Sequence, residues 1–133
     1  MAKQRILIVD DNPINLKLVH FTLNAGGFDV RTAADAAEAL TTLQAFRPHA
    51  ILMDLQLPGM DGLELTRRLK ADAATRDIVI IALTAYAMKG DDQKALEAGC
   101  DAYVSKPIDT QTFPARIRQY IALGPGRSPR GGE

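Results

Sequence analysis

Apolar residues gather in four short, nearly unbroken runs: Ile6-Leu7-Ile8-Val9, Ala50-Ile51-Leu52-Met53, Ile78 to Leu83 and Ala102-Tyr103-Val104. Runs of that length predict strands covered on both faces, because a strand exposed on one side alternates. Phe28-Asp29-Val30 does alternate, which suits the edge of the same sheet. The segments between have a helical period and recognisable ends. Asn12 as N-cap and Pro13 at the first helical position open a helix with Leu16, Val19 and Leu23 on one stripe, stopped by Gly26-Gly27. Asp35 and Glu38, in capping-box spacing, open a second that carries Leu40, Leu43 and Phe46 and ends before Pro48. Leu65 and Leu69, one turn apart, mark a third. A fourth is expected from Ala87 to Ala98, stopped by Gly99, and a fifth after Asp109 or Thr110, with Phe113, Ile117 and Ile121 facing the sheet.

Five strands alternating with five helices make a (βα)5 pattern of the α/β class. Right-handed crossovers then predict a doubly wound parallel five-stranded sheet, in the order 2-1-3-4-5. That order puts the switch point between strands 1 and 3, where the carboxyl ends of both meet. Asp10-Asp11, Asp54, Thr84 and Lys106 each stand directly behind an apolar run, so the topology gathers them at one edge.

Composition narrows the class. With 133 residues the chain suits one domain, expected over residues 1–123. Residues 124–133, rich in Gly, Pro and Arg, hold too little apolar surface to offset ordering and are expected to be a flexible tail or the stub of a linker. The apolar runs fall far short of the ~18 to 20 residues of a membrane span, and the N-terminus lacks the apolar core of a secretory signal, so a cytoplasmic protein is expected. Sixteen basic residues balance sixteen acidic ones, which leaves no electrostatic footprint for nucleic acid. Cys100 is the single cysteine, which excludes a disulfide framework and reads as buried filler. There is no Gly-x-Gly-x-x-Gly or Walker-type loop, so nucleotide-binding versions of the fold lack support.

Three carboxylates at one strand edge need a counter-charge, since two unit charges ~4 Å apart repel by about 4 kcal/mol at an effective dielectric near 20. Mg²⁺ suits an all-oxygen set, and no His or Cys lies near enough in the motifs to favour zinc. Lys106 would add a fixed positive charge across the site. Given a phosphoryl donor, Asp54 can act as nucleophile while Lys106 and the metal neutralise the transferring group, and the Thr84 hydroxyl can donate to a phosphoryl oxygen. His20 on a helix and His49 before strand 3 are not placed at the acidic edge, so a donor histidine would belong to another protein.

In order along the chain stand Ile6-Leu7-Ile8-Val9-Asp10-Asp11-Asn12-Pro13, Leu52-Met53-Asp54-Leu55-Gln56-Leu57-Pro58-Gly59-Met60-Asp61-Gly62, Ala82-Leu83-Thr84-Ala85 and Gly99-Cys100-Asp101-Ala102-Tyr103-Val104-Ser105-Lys106-Pro107. Together they resemble the response-regulator receiver domains of two-component signalling, over residues 5 to 122. The stretches Asn12 to Asn15 and Tyr86 to Asp91 look most like single-domain DivK-type regulators and the receivers of hybrid kinases.

The resemblance implies a flavodoxin-like receiver fold with Asp54 as phosphoacceptor. It implies Mg²⁺ bound by Asp11, Asp54 and the main-chain carbonyl of Gln56, with Asp10 holding metal-bound water. It further implies Lys106 paired with the phosphoryl group, a cis peptide between Lys106 and Pro107, and a switch in which Thr84 moves toward the phosphate while Tyr103 turns inward. The switch would remodel the face of helix 4, strand 5 and helix 5. Expected partners are a sensor histidine kinase or histidine phosphotransfer protein as donor and a downstream effector protein, with the domain a monomer or weak homodimer. Chemistry would be confined to its own aspartate phosphorylation and slow autodephosphorylation.

Two rivals have different signatures. A haloacid dehalogenase-type phosphatase also carries a nucleophilic Asp behind a strand, but it needs a general acid two residues on, where this chain has Gln56. A pseudo-receiver would use the fold for interaction without turning over phosphate, which the intact acid set argues against.

Overall fold

The computed structural model describes residues 4–54, 62–84, 96–105 and 109–124. The chain runs β1 (Arg5–Val9), α1 (Pro13–Ala25), β2 (Asp29–Ala33), α2 (Ala36–Leu43), β3 (Ala50–Asp54), α3 (Gly62–Ala71) and β4 (Val79–Thr84). Helical residues 96–98 follow as the described part of α4, then β5 (Ala102–Ser105) and α5 (Phe113–Leu123). The strands form one parallel sheet in the order β2-β1-β3-β4-β5, as the crossover rule predicts.

Strand periodicity splits the core in two. Leu7, Val9, Ile51, Met53, Ile80 and Ala82 face Ala36, Ala39, Leu65 and Leu69 of α2 and α3. Their chain neighbours Ile6, Ile8, Leu52, Val79, Ile81 and Leu83 face Val19, Leu23, Phe113 and Ile117 of α1 and α5. Each large side chain so buried contributes about 1.5–3 kcal/mol relative to exposure, which is why the central strands read as unbroken apolar runs.

The helix ends follow local chemistry. Asn12 caps α1, its side-chain oxygen accepting from the Ile14 and Asn15 N–H groups at 2.9 and 3.3 Å. Its far end turns at Gly27, φ 96°, with the Phe28 N–H donating back to the Leu23 carbonyl at 3.0 Å. Asp35 caps α2 by accepting from the Glu38 N–H at 2.8 Å. Gly99 ends α4 at φ 110°, and a Cβ there would lie 2.9 Å from Lys70 Cγ, so both backbone and neighbour demand glycine.

Three expectations need correcting. Leu40 is 37% exposed, because α2 presents the small Ala36 and Ala39 with Leu43 to the sheet and turns Leu40 aside; Phe46 reaches the core from beyond the helix. The second strand starts at Asp29 and extends to Ala33, one register-matched residue for each of β1, while Phe28 packs ahead of it. The last helix begins at Phe113 because residues 109–112 form their own turn, in which Asp109 accepts from the Gln111 N–H through its side chain and from the Phe113 N–H through its carbonyl. The expected fourth helix before residue 96 and the tail from 125 lie outside the described residues. No described helix is long and apolar enough to cross a membrane.

Candidate functional site

Strand register assembles the acidic edge. Val9 pairs with both Ala33 and Met53, so Asp10, the next residue, stands beside Asp54 at the end of β3. The Asp10 N–H donates to the Ala33 carbonyl at 3.0 Å, extending the ladder by one step. Asp54 pairs in turn with Leu83, which puts Thr84 one residue further along the neighbouring strand, opposite Ser105. Tyr103 pairs with Ala82 and is half-buried against the core shared with α2 and α3.

Asp10 and Asp54 are buried, 1% and 7% exposed, and Asp11 is exposed. Carboxylate oxygens of the three lie within 4.8 Å of one another. At that spacing mutual repulsion of a few kcal/mol is inherent, and burial of two of the acids removes the water that would otherwise screen it. Asp10 draws on the start of α1: Oδ1 accepts from the Asn12 N–H at 2.9 Å, and Oδ2 accepts from Asn15 Nδ2 at 2.8 Å. The donor set is all oxygen and anionic, which fits a small hard dication and not a soft metal. Lys106, Pro107 and Gln56 lie outside the described residues, so their expected places follow only from the chain positions after Ser105 and Asp54.

The remaining candidates fall where the sequence puts them. His20 is exposed on α1, and His49 is exposed before β3, where Nδ1 accepts from the Arg5 N–H at 2.9 Å. Partial burial, then the Arg5 charge, hold the His49 pKa below its ordinary value. Cys100 is buried with Sγ 3.7 Å from Thr66 Oγ1, and burial pushes its pKa up to about 11.

Two features escape a reading by motif. Asn15 bonds directly to the acidic cluster, and the only sequence sign is a polar residue in the first turn of α1. Ile14, Leu18 and Phe21 stand exposed at 78%, 43% and 74% on α1. They occupy i, i+4 and i+7 positions off the buried stripe, so the helix is apolar on a second face as well. Beside them Pro13, Leu16, Lys17, His20, Phe21 and Thr32 line a shallow cleft of about 580 Å³.

Residues 6–118 match the family model described as the response regulator receiver domain. The polar-differentiation response regulator DivK of Brucella anthropi is 43% identical over 116 residues, covering 87% of this chain and 94% of that protein. The receiver domain of a sensor histidine kinase from Pseudomonas aeruginosa, solved with a magnesium ion coordinated in its active-site cleft, is 37% identical. It superposes with a TM-score of 0.82 over 91% of this chain and 99% of its own. A CheY-like receiver domain protein from Methanospirillum hungatei is 30% identical, with a TM-score of 0.82 over 91% and 95% of the two chains.

Proposed function

The chain belongs to the response regulator receiver domain family, and from that membership we propose that Asp54 accepts a phosphoryl group from the phosphohistidine of a partner kinase or phosphotransfer protein. The observation that carries this reading is the convergence of Asp10, Asp11 and Asp54 within 4.8 Å at the switch point of the sheet. An Asp54 carboxylate oxygen forms the new P–O bond as the P–N bond of the donor breaks, and the departing electron pair stays on the imidazole nitrogen, which takes up a proton. Asp11, Asp54 and the main-chain carbonyl of Gln56 would hold Mg²⁺, with Asp10 holding its water, and the ion would supply charge neutralisation at the phosphoryl oxygens. Lys106, one residue beyond β5, supplies a second positive charge.

The output is a changed surface. Thr84 and Tyr103 occupy adjacent strands, β4 and β5, and in the switch that family membership implies Thr84 is drawn toward the phosphoryl group while Tyr103 turns inward. That rearrangement alters the face of α4, β5 and α5 read by an effector protein. On the input side, the exposed Ile14, Leu18 and Phe21 begin within a turn of Asp11, so a donor that reaches Asp54 from this side covers them.

Intact-mass spectrometry after incubation with acetyl phosphate tests the assignment. Magnesium-dependent gain of one phosphoryl group by the wild type, absent in Asp54→Ala, is expected. Equal gain in both proteins moves the acceptor elsewhere, and no gain in either, even with a phosphorylated donor domain, makes the chain a pseudo-receiver.

A further inference from the structure

The Asn15 side chain points from the first turn of α1 into the acidic cluster, with Nδ2 2.8 Å from Asp10 Oδ2, although helix N-termini ordinarily place such residues to satisfy their own backbone. We propose that Asn15 is a positioning residue for the cation site, acting through Asp10; this rests on the reading of the acidic cluster as a metal site.

Asp10 is 1% exposed, so its carboxylate plane is set by protein donors. The Asn12 N–H holds Oδ1 at 2.9 Å and the Asn15 amide holds Oδ2 at 2.8 Å. Donors on opposite oxygens resist rotation of the carboxylate about its Cβ–Cγ bond, and the Asn15 amide is the side-chain donor on Oδ2. An amide serves here where a Lys or Arg would not: it donates without adding a positive charge that would compete with the cation for the same carboxylates.

The Asn12 side chain accepts from the Ile14 and Asn15 N–H groups, which secures the turn that delivers the Asn15 amide to Asp10. Outer-shell partners of this kind typically change metal affinity about 10–100-fold when removed. Asn15 also follows Ile14, the most exposed large hydrophobic residue of α1, so the same turn carries an outward contact residue and an inward orienting one.

Direct cation binding separates this role from folding. Mn²⁺ is titrated into the intact protein, and the free ion is read by its electron paramagnetic resonance signal. Ala is a better helix former than Asn, so Asn15→Ala is expected to fold. It should bind Mn²⁺ roughly tenfold more weakly than wild type. Asn15→Gln, which keeps the amide donor on a longer arm, should recover most of the loss. Equal affinity of wild type and Asn15→Ala overturns the inference, as does a loss that Asn15→Gln leaves unrepaired. Absence of binding in the wild type overturns instead the metal reading on which it rests.

Discussion

Lys70 Nζ lies 2.8 Å from Asp101 Oδ2, joining the last turn of α3 to the residue that enters β5. The same ammonium donates to the Arg76 and Ile78 carbonyls at 3.1 and 2.8 Å, and the same carboxylate oxygen accepts from the Ile80 N–H at 2.8 Å. With side chains 17% and 4% exposed, this is a mostly dry pair whose polar atoms are shared among four segments. It is a clamp at the amino edge of the sheet, away from the acidic cluster.

Removing one partner from such a pair leaves a buried charge without its counter-ion. Lys70→Met keeps the stem that packs on Gly99 and deletes the ammonium, so unfolding in urea should show a loss of about 3–5 kcal/mol. A loss under ~1 kcal/mol would mean that Asp101 finds equal compensation from backbone donors.

Cys100 gives a pH dependence of definite sign. Burial is the chief cause that raises its thiol from 9.0 to about 11; the Thr66 hydrogen bond and the Lys70 charge work against it, and the Asp101 charge with it. The native state thus holds its proton where the unfolded chain has released it. The corresponding stabilisation, about 2–3 kcal/mol, is fully present below pH 9 and is lost as pH climbs through about 11. The urea-unfolding free energy of wild type minus that of Cys100→Ala should fall by that amount as pH rises from 9 to about 11. Parallel pH profiles would dismiss the effect.

Cation removal should be visible in stability as well as in phosphorylation. Drawing three carboxylate oxygens to within 4.8 Å costs repulsion that a bound dication relieves. Mg²⁺ at about one hundred times its Kd should add about 2.7 kcal/mol, seen as a higher melting temperature that EDTA reverses. Asp11→Asn should lose most of that increment. A melting temperature indifferent to Mg²⁺ in the wild type would count against the site.

Lys106→Ala should separate phosphorylation from output. The lysine follows Ser105, whose strand partner is Thr84, and under the proposed function its charge would link a phosphoryl group on Asp54 to β5. In heteronuclear NMR spectra, phosphorylation should shift α5 resonances such as Tyr120 in the wild type and leave them in place in the phosphorylated mutant. Equal shifts would sink the idea.

The sheet and its acidic edge were legible in the chain for definite reasons. Unbroken runs such as Ile6 to Val9 and Ile51 to Met53 are forced on strands covered twice, and crossover handedness admits few orders for five such strands. The caps Asn12 and Asp35 were equally plain, because the bonds they make reach only two or three residues along the chain. Strand order therefore places Asp10, Asp11 and Asp54 at one edge from the chain alone.

What depended on rotation of a helix about its own axis could not be read this way. Leu40 looks like a core residue beside Leu43, yet the small side chains of Ala36 and Ala39 let α2 settle with Leu40 outward. The partners of Asn15, Lys70 and Asp101 were likewise hidden. The Lys70–Asp101 bond spans thirty-one positions, and the Asn15 amide could equally have faced water. Periodicity and chain handedness determine which elements form and in what order they meet. Only tertiary packing, which selects one rotation and one set of side-chain partners from many compatible with the same pattern, decided what each polar group holds.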